Sequence, residues 1–278
     1  PLRIVIVTPA TASTNNGNWQ TAIRWARMLR SEGEVTVLQA VQAQDAELLS
    51  ADVLIALHAG RSADSVQAWH RQNGSRGLVV ALTGTDLYRD LPGDDEAARQ
   101  RVVASLESAC RLIVLQDQAP LSLPPELQSK AAVVYQSTTR RQTLPKPGSR
   151  LRAVMVGHLR DEKDPLTLMN AVRLLRPEDG ILIDHIGRAL DPSLALSAEQ
   201  TQATCAHYRW LGGLPHEAAR RRIQRAHVLV HSSRMEGGAH VIMEAACSGT
   251  PVLASRMAGN IGMLGADYST KFAPWLAA

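Results

Sequence analysis

"HVLVHSSRMEGGAHVIMEAACSGTPVLAS", residues 227–255, is the stretch from which the fold is read. It opens as a short apolar, β-branched strand over 227–232 and passes through a polar turn. An apolar helical run follows and stops at Gly249, and a second strand occupies 251–255. Strand, helix and strand in so short a span make a βαβ unit, which joins parallel strands. Within it Glu236 and Glu244 stand eight positions apart, and Gly237 and Gly238 follow the first glutamate directly. On one continuous helix, eight steps would leave the two carboxylates about 80° apart in azimuth and about 12 Å apart along the axis. They cannot close on one small group, but they suit the two ends of a longer ligand. Glycines let backbone N–H groups approach an anion, and a helix start attracts negative charge. A diphosphate near Gly237, Gly238, Ala239 and His240 would leave one glutamate for the group on either side. By spacing alone, two surface glutamates on an ordinary α/β loop fit equally well.

The same alternation extends outward in both directions. Upstream, 3–8, 34–38, 52–57, 77–82, 111–115 and 131–136 read as strands, with amphipathic helical patterns such as 19–33 between them. Residues 137–150, "STTRRQTLPKPGSR", carry two prolines and a glycine without apolar period and read as a linker. The alternation then restarts, with strands at 152–157, 181–187, 208–212, 227–232 and 251–255. Continuous apolar strands separated by helices indicate α/β architecture with parallel sheets covered on both faces. The expected organisation is two doubly wound domains, residues 1–140 and 151–278, joined by a hinge at 141–150. Ligands bind such sheets outside the carboxyl ends of their strands, so the active site is expected in the cleft between the domains. Residues 266–278 are too short to add another strand and helix, and the second domain therefore reads as apparently incomplete.

Bulk properties narrow the function. In 278 residues, 45% are apolar and 20% charged, an ordinary soluble composition. The net charge of +4 is spread along the chain, with "RRR" at 220–222 as the longest basic cluster. Nucleic-acid binding wants a concentrated basic stripe and is set aside. The three cysteines, Cys110, Cys205 and Cys247, lie far apart and form no CxxC, which fits a reducing cytoplasm. No leader-like n-region or h-region opens the sequence, and no apolar run reaches the length of a membrane span. A cytoplasmic protein without stable membrane association is the expectation. Nothing in the sequence sets an oligomeric state.

The stretch "SSRMEGGAHVIMEAACSGTPVLAS", 232–255, resembles the Glu-x7-Glu signature of retaining glycosyltransferases of the GT-B class. That resemblance implies the GT-B fold, two Rossmann-like domains facing across a cleft. It implies a nucleotide-sugar donor on the C-terminal domain and the acceptor on the N-terminal one. By the same resemblance Glu244 holds the ribose hydroxyls of the donor, and Glu236 contacts its hexose as a catalytic residue. "VMVGHLRDEKDPLTLMNAVRLL", 154–175, is similar to the segment in which an arginine and a lysine clamp the donor diphosphate. Lys163 matches the lysine, whereas His158 stands at the arginine and Asp164 at a usual glycine. Arg160, two residues on, is the candidate substitute. A clamp of lysine and backbone N–H groups at Gly238 and Ala239 implies no metal and no further cofactor. The absence of any Asp-x-Asp in the chain fits.

In the N-terminal half, "TPATASTNNGNWQTA", 8–22, places Gly17 and Asn18 where the family has a glycine pair facing the donor. Thr11, Ser13, Thr14, Asn15 and Asn16 supply neutral donors suited to a small oxyanion acceptor. In "ALTGTDLYRDLP", 81–92, Thr83 stands nearest to a histidine that relatives use on the donor sugar, and His58 is a possible stand-in. Together with "LHAGRSAD" these stretches resemble the bacterial selenosugar synthases of selenoneine biosynthesis. Those enzymes join the anomeric carbon of a UDP-sugar, typically UDP-N-acetylglucosamine, to selenium from selenophosphate. The resemblance makes UDP-sugar and selenophosphate the partners, with Arg61 and Arg89 as candidate selenophosphate contacts. Two alternatives remain at this point. One is a conventional retaining glycosyltransferase with a sugar, lipid or thiol acceptor, and the other is a non-catalytic nucleotide-sugar-binding protein.

Overall fold

The computed structural model describes residues 1–10, 16–269 and 271–272. The chain divides into two units, Pro1–Gln136 with Glu236–Gly238, and Ser137–Met235 with Ala239–Ala278. The first alternates β1 (Leu2–Val7), α1 (Gly17–Leu29), β2 (Gly33–Leu38), α2 (Ala46–Ser50), β3 (Val53–Leu57) and α3 (Ala63–Asn73). It continues through β4 (Leu78–Ala81), a π-helical turn at Asp86–Asp90, α4 (Glu96–Ser108), β5 (Arg111–Val114) and β6 (Ala131–Val133). The six strands form one parallel sheet in the order β2-β1-β3-β4-β5-β6.

The sequence of β1 shows why helices cover both faces. Ile4, Val5, Ile6 and Val7 are all buried. Val5 and Val7 pack with Val66 and Trp69 of α3 and with Val102 and Leu106 of α4. Ile4 and Ile6 pack on the other face, against Ala22, Trp25 and Ala26 of α1. An unbroken apolar run is what a doubly covered strand requires.

The second unit repeats the plan with β7 (Leu151–Val156), α5 (Pro165–Leu174), β8 (Ile181–Ile186), α6 (Pro192–Thr204) and β9 (Tyr208–Trp210). It goes on with α7 (His216–Arg225), β10 (Val228–His231), α8 (His240–Ala246), β11 (Val252–Ser255), α9 (Ala258–Leu264) and β12 (Lys271–Phe272). Its six-stranded sheet runs β12-β11-β10-β7-β8-β9. One face packs Met155, Ile183 and Tyr208 under α5 and α6 through Leu168, Met169 and Leu194. The other packs Val154, Leu229 and Val252 under α7 and α8 through Ile223, Ile242 and Ala245. Residues 266–278 read as too short for another strand and helix, and within them Lys271 and Phe272 form a two-residue strand that pairs in parallel with Ala254 and Ser255.

Residues 134–150 hold neither helix nor strand. From Ser137 onward they belong to the second unit, where polar bonds lash them to its surface. Arg141 pairs with Glu217 of α7, and its backbone N–H donates to Cys247 O at 2.8 Å. The side chain of Gln224 donates to Gln142 O at 2.7 Å, and Arg220 donates to Thr139 O at 2.6 Å.

His185 is a polar intruder in this core. It lies on β8, fully buried, with Nδ1 2.8 Å from the Tyr208 hydroxyl. Burial holds its pKa down at about 4, against an ordinary 6.5. His158 is held at about 4 as well, by burial and by Arg188, Arg160 and Lys163. The unfolded chain takes up these protons near 6.5 and the fold only near 4, so acid favours unfolding. The stabilisation is complete above about pH 6.5 and is lost as pH falls toward 4, by up to about 1.4 kcal/mol per pH unit for each histidine. Urea unfolding between pH 4.5 and 7 should therefore show stability falling with acid, with a shallower slope in His185→Gln. An unchanged slope in that variant would contradict the assignment.

Candidate active site

In each sheet the strand order reverses once, and ligands of parallel sheets bind at the carboxyl ends beside that reversal. In the second unit the reversal lies between β7 and β10, and it exposes the segments that follow them. After β7 come Gly157 and His158, a 3-10 turn at Asp161–Lys163, and Asp164 in the left-handed region with φ 45°. This conformation explains the departure from the usual glycine. Aspartate tolerates left-handed backbone when its short side chain bonds locally. Asp164 accepts from the Thr167 hydroxyl at 2.7 Å and faces Arg234 at 3.4 Å. The loops after β7 and β8 touch backbone to backbone, since a Cβ on Gly187 would fall 1.8 Å from Gly157 O.

That contact sets the electrostatics. The Arg188 N–H donates to His158 Nδ1 at 3.1 Å. Burial first, then the charges of Arg188, Arg160 and Lys163, keep the His158 ring neutral with a pKa of about 4. His158 therefore supplies no cation in place of the family's arginine. Arg188, from the loop after β8, does stand beside it. Arg160 opens the 3-10 turn, with Nε 3.8 Å from Glu162 and no hydrogen bond at that nitrogen. Sequence reasoning passed over Arg188 because no motif slot contains it. Its position directly after a strand, in "IGRAL", was the available signal.

Glu244 is the fifth residue of α8, about one turn in, because the helix starts at His240 with Ala239 as its N-cap. Its side chain is 5% exposed, and Oε1 lies 2.5 Å from Nε2 of His216, the first residue of α7. Arg220, one turn further along α7, is buried and also feels the Glu244 charge. His216 and Arg220 were likewise missed, since only tertiary packing of α7 on α8 brings them to the carboxylate.

Glu236, Gly237 and Gly238 belong to the first unit. A Cβ on Gly237 would lie 2.5 Å from Thr83 O, and one on Gly238 would lie 2.6 Å from the Leu115 Cβ. Close packing thus demands glycine at both positions, independently of any anion.

In the first unit the reversal lies between β1 and β3. Thr11, Ser13, Thr14 and Asn15 lie outside the described residues. Asn16 is the N-cap of α1, where its Oδ1 accepts from Trp19 N at 3.2 Å, and Gly17 and Asn18 open the helix. His58 ends β3 at φ 69°, a left-handed conformation that such a residue adopts only when its surroundings enforce it. Arg61 N donates to Nδ1 at 3.2 Å, which leaves the proton on Nε2, 2.8 Å from the Thr85 hydroxyl. Burial lowers the His58 pKa, outweighing the Asp86 carboxylate 4.0 Å away. His58 is thus a buried brace between two loops, with both ring nitrogens engaged.

Asp86 joins the same loops. Its fully buried carboxylate accepts from the N–H groups of Ala59 at 2.9 Å, Thr83 at 3.0 Å, Gly84 at 2.9 Å and Leu87 at 3.0 Å. Next to these loops lies a pocket of about 620 Å³, lined by Arg61, Arg89, Asp90, Asp94 and Arg101 among others. Arg89 pairs with Asp90 at 2.8 Å and Arg101 with Asp64 at 3.1 Å. Among the described residues, no group of three or more His, Cys, Asp or Glu side chains is placed to hold a metal ion. No helix among them is long and apolar enough to cross a membrane.

Residues 136–273 match the family described as glycosyl transferases group 1. HepE from Anabaena, solved with UDP-glucose, superposes at TM-score 0.74 and 14% identity, over 99% of this chain and 86% of that one. Sucrose-phosphate synthase from Thermosynechococcus elongatus superposes at 0.72 and 15%, over 94% and 82%. TarM from S. aureus superposes at 0.55 and 13%, over 73% of this chain but only 41% of its own length. The family match spans just under half of the chain, and the chain has the GT-B fold of these structures.

Asp86→Ala would leave four N–H groups, three of them buried, without their acceptor. At about 1–3 kcal/mol for each unsatisfied buried group, chemical denaturation should show a loss of at least about 3 kcal/mol, allowing for relaxation. A loss under about 1 kcal/mol would contradict the bracing role.

Proposed function

We propose that the chain is a retaining, metal-independent UDP-sugar transferase, and specifically a selenosugar synthase that moves N-acetylglucosamine from UDP to selenophosphate. The observation that carries the donor half is the distribution of charge in the second unit. The loops after β7 and β8 bring Lys163 and Arg188 to the carboxyl end of the sheet, and the helix after β10 presents the buried Glu244 carboxylate. A nucleoside diphosphate has the complementary sequence of groups, a vicinal diol that donates hydrogen bonds and a diphosphate that attracts cations. In this reading Glu244 accepts from the ribose hydroxyls, and Lys163, Arg188 and Arg160 offset the diphosphate charge. Arg188 thereby takes the part of the arginine that His158 replaces. The backbone N–H groups of Gly238 and Ala239 add to that stabilisation, and Glu236 contacts the hexose. The UDP and UDP-glucose seen with HepE support a UDP donor. The UDP and GlcNAc seen with the pneumococcal O-GlcNAc transferase GtfA support the choice of hexosamine.

In the transfer, the bond from the anomeric carbon to the UDP oxygen breaks and its electron pair leaves with UDP. Preorganised cations stabilise that charge as it develops. Selenium enters on the same face and forms the carbon–selenium bond. Selenophosphate arrives ionised and needs no general base, which agrees with a first unit whose candidate histidine, His58, is buried and locked in one tautomer. Arg61 and Arg89 are the anion contacts of this reading.

A second reading has an observation of its own. The pocket beside Arg61 and Arg89, at about 620 Å³, holds far more than a single selenophosphate and lies in the range of pockets for sugar-sized ligands. A conventional glycosyltransferase with a sugar acceptor would use it. Incubating the purified protein with UDP-N-acetylglucosamine and selenophosphate, without added metal, separates the two by mass spectrometry. A selenium-containing hexosamine should appear in step with UDP. UDP released without a seleno-product would move the acceptor to the second reading, and a donor left intact would overturn the proposed donor.

A further inference from the structure

Glu244 is held in a way that no sequence motif describes. A carboxylate buried to this degree must be hydrogen-bonded or paired, or its charge is strongly disfavoured. Two partners of this carboxylate come from one helix face. His216 and Arg220 are one turn apart on α7, and they reach α8 because the two helices pack on the same side of β10. The two partners are not equivalent. Arg220 is buried, and its guanidinium is committed to Thr139 O at 2.6 Å, so it provides charge and anchorage to residues 137–150. His216 touches the carboxylate directly, Nε2 to Oε1 at 2.5 Å, and its side chain is 41% exposed while that of Glu244 is 5% exposed. The imidazole therefore stands on the solvent side of the carboxylate, where a ligand must also approach.

We infer that His216 is a positioning residue for nucleotide recognition. It fixes the rotation of the Glu244 carboxylate so that the remaining lone pairs meet the two hydroxyls of a ribose. A carboxylate has about four lone-pair sites. A donor fixed at one Oε1 site leaves the plane of the group defined and the other sites open, which is the arrangement a vicinal diol needs. Pro215, directly before His216 at φ −54°, and the α7 backbone leave the imidazole little freedom to follow the carboxylate elsewhere. The inference rests on the reading of Glu244 as the ribose ligand, and it concerns the 2′ and 3′ hydroxyls specifically.

The test is calorimetric titration of UDP and of 2′-deoxy-UDP into the full chain and into His216→Ala, His216→Gln and Glu244→Ala. Thermal melts confirm that each variant is folded. The wild type should bind UDP at least tenfold more tightly than 2′-deoxy-UDP. His216→Ala should weaken UDP about tenfold and leave 2′-deoxy-UDP within about twofold, so that the discrimination nearly disappears. His216→Gln, which keeps a donor, should recover most of it. Equal weakening of both nucleotides in His216→Ala would make the histidine a merely structural partner and overturn the inference. Unchanged UDP affinity in His216→Ala, with UDP lost in Glu244→Ala, would overturn the inference and leave the donor site standing. Unchanged UDP affinity in Glu244→Ala would overturn the donor-site reading itself.

Discussion

Everything at the proposed donor end depends on the reversal of strand order between β7 and β10. Parallel strands all release their chain at the same end of the sheet, and at a reversal the two outgoing segments diverge to opposite faces and leave a space. Here the segment "GHLRDEKD" carries His158, Arg160 and Lys163 and the chain after β10 leads to Glu244 on α8, while Arg188 joins from the loop after β8 and His216 from the start of α7. The close contact of Gly187 with Gly157 then locks the loop after β8 onto the loop after β7. The result is a cationic end near His158 and an anionic end at Glu244, both fixed by the sheet rather than by flexible surface chain.

The buried carboxylates Asp86 and Glu244 follow one rule, that each has more than one partner. Asp86 takes four backbone N–H groups from the loops after β3 and β4. Glu244 takes its partners from α7. The buried histidines follow a complementary rule. His58, His158 and His185 are kept neutral, and each bonds a neighbouring backbone or hydroxyl group. Neutral rings at these places are spacers of fixed geometry. The second unit therefore concentrates positive charge on arginine and lysine, which stay charged across the physiological range.

Much of this was legible in the sequence, for identifiable reasons. Strands such as Ile4–Val7 and Val228–Val230 are unbroken apolar runs, which require helices on both faces, and they announced themselves. Glu244 and Lys163 stand in motifs whose spacing survives substitution around them. What stayed hidden depends on contacts between distant segments. Arg188 reaches His158 only through pairing of β7 with β8, and His216 reaches Glu244 only through packing of α7 on α8. The two departures from the family pattern also needed structure to be understood. Asp164 keeps the left-handed turn of the glycine it replaces by bonding Thr167, whereas His158 does not keep the charge of the arginine. A two-residue strand such as β12 has no periodicity to read, and it forms because β11 offers it a partner.

The central claim is that the second unit holds a UDP-sugar by a carboxylate at the ribose and cations at the diphosphate. A crystal structure of the full chain with UDP tests it most directly. The account predicts the ribose hydroxyls within hydrogen-bond reach of the Glu244 carboxylate and the diphosphate among Lys163, Arg160 and Arg188. UDP bound with its ribose away from Glu244, or seated on the first unit, would contradict it.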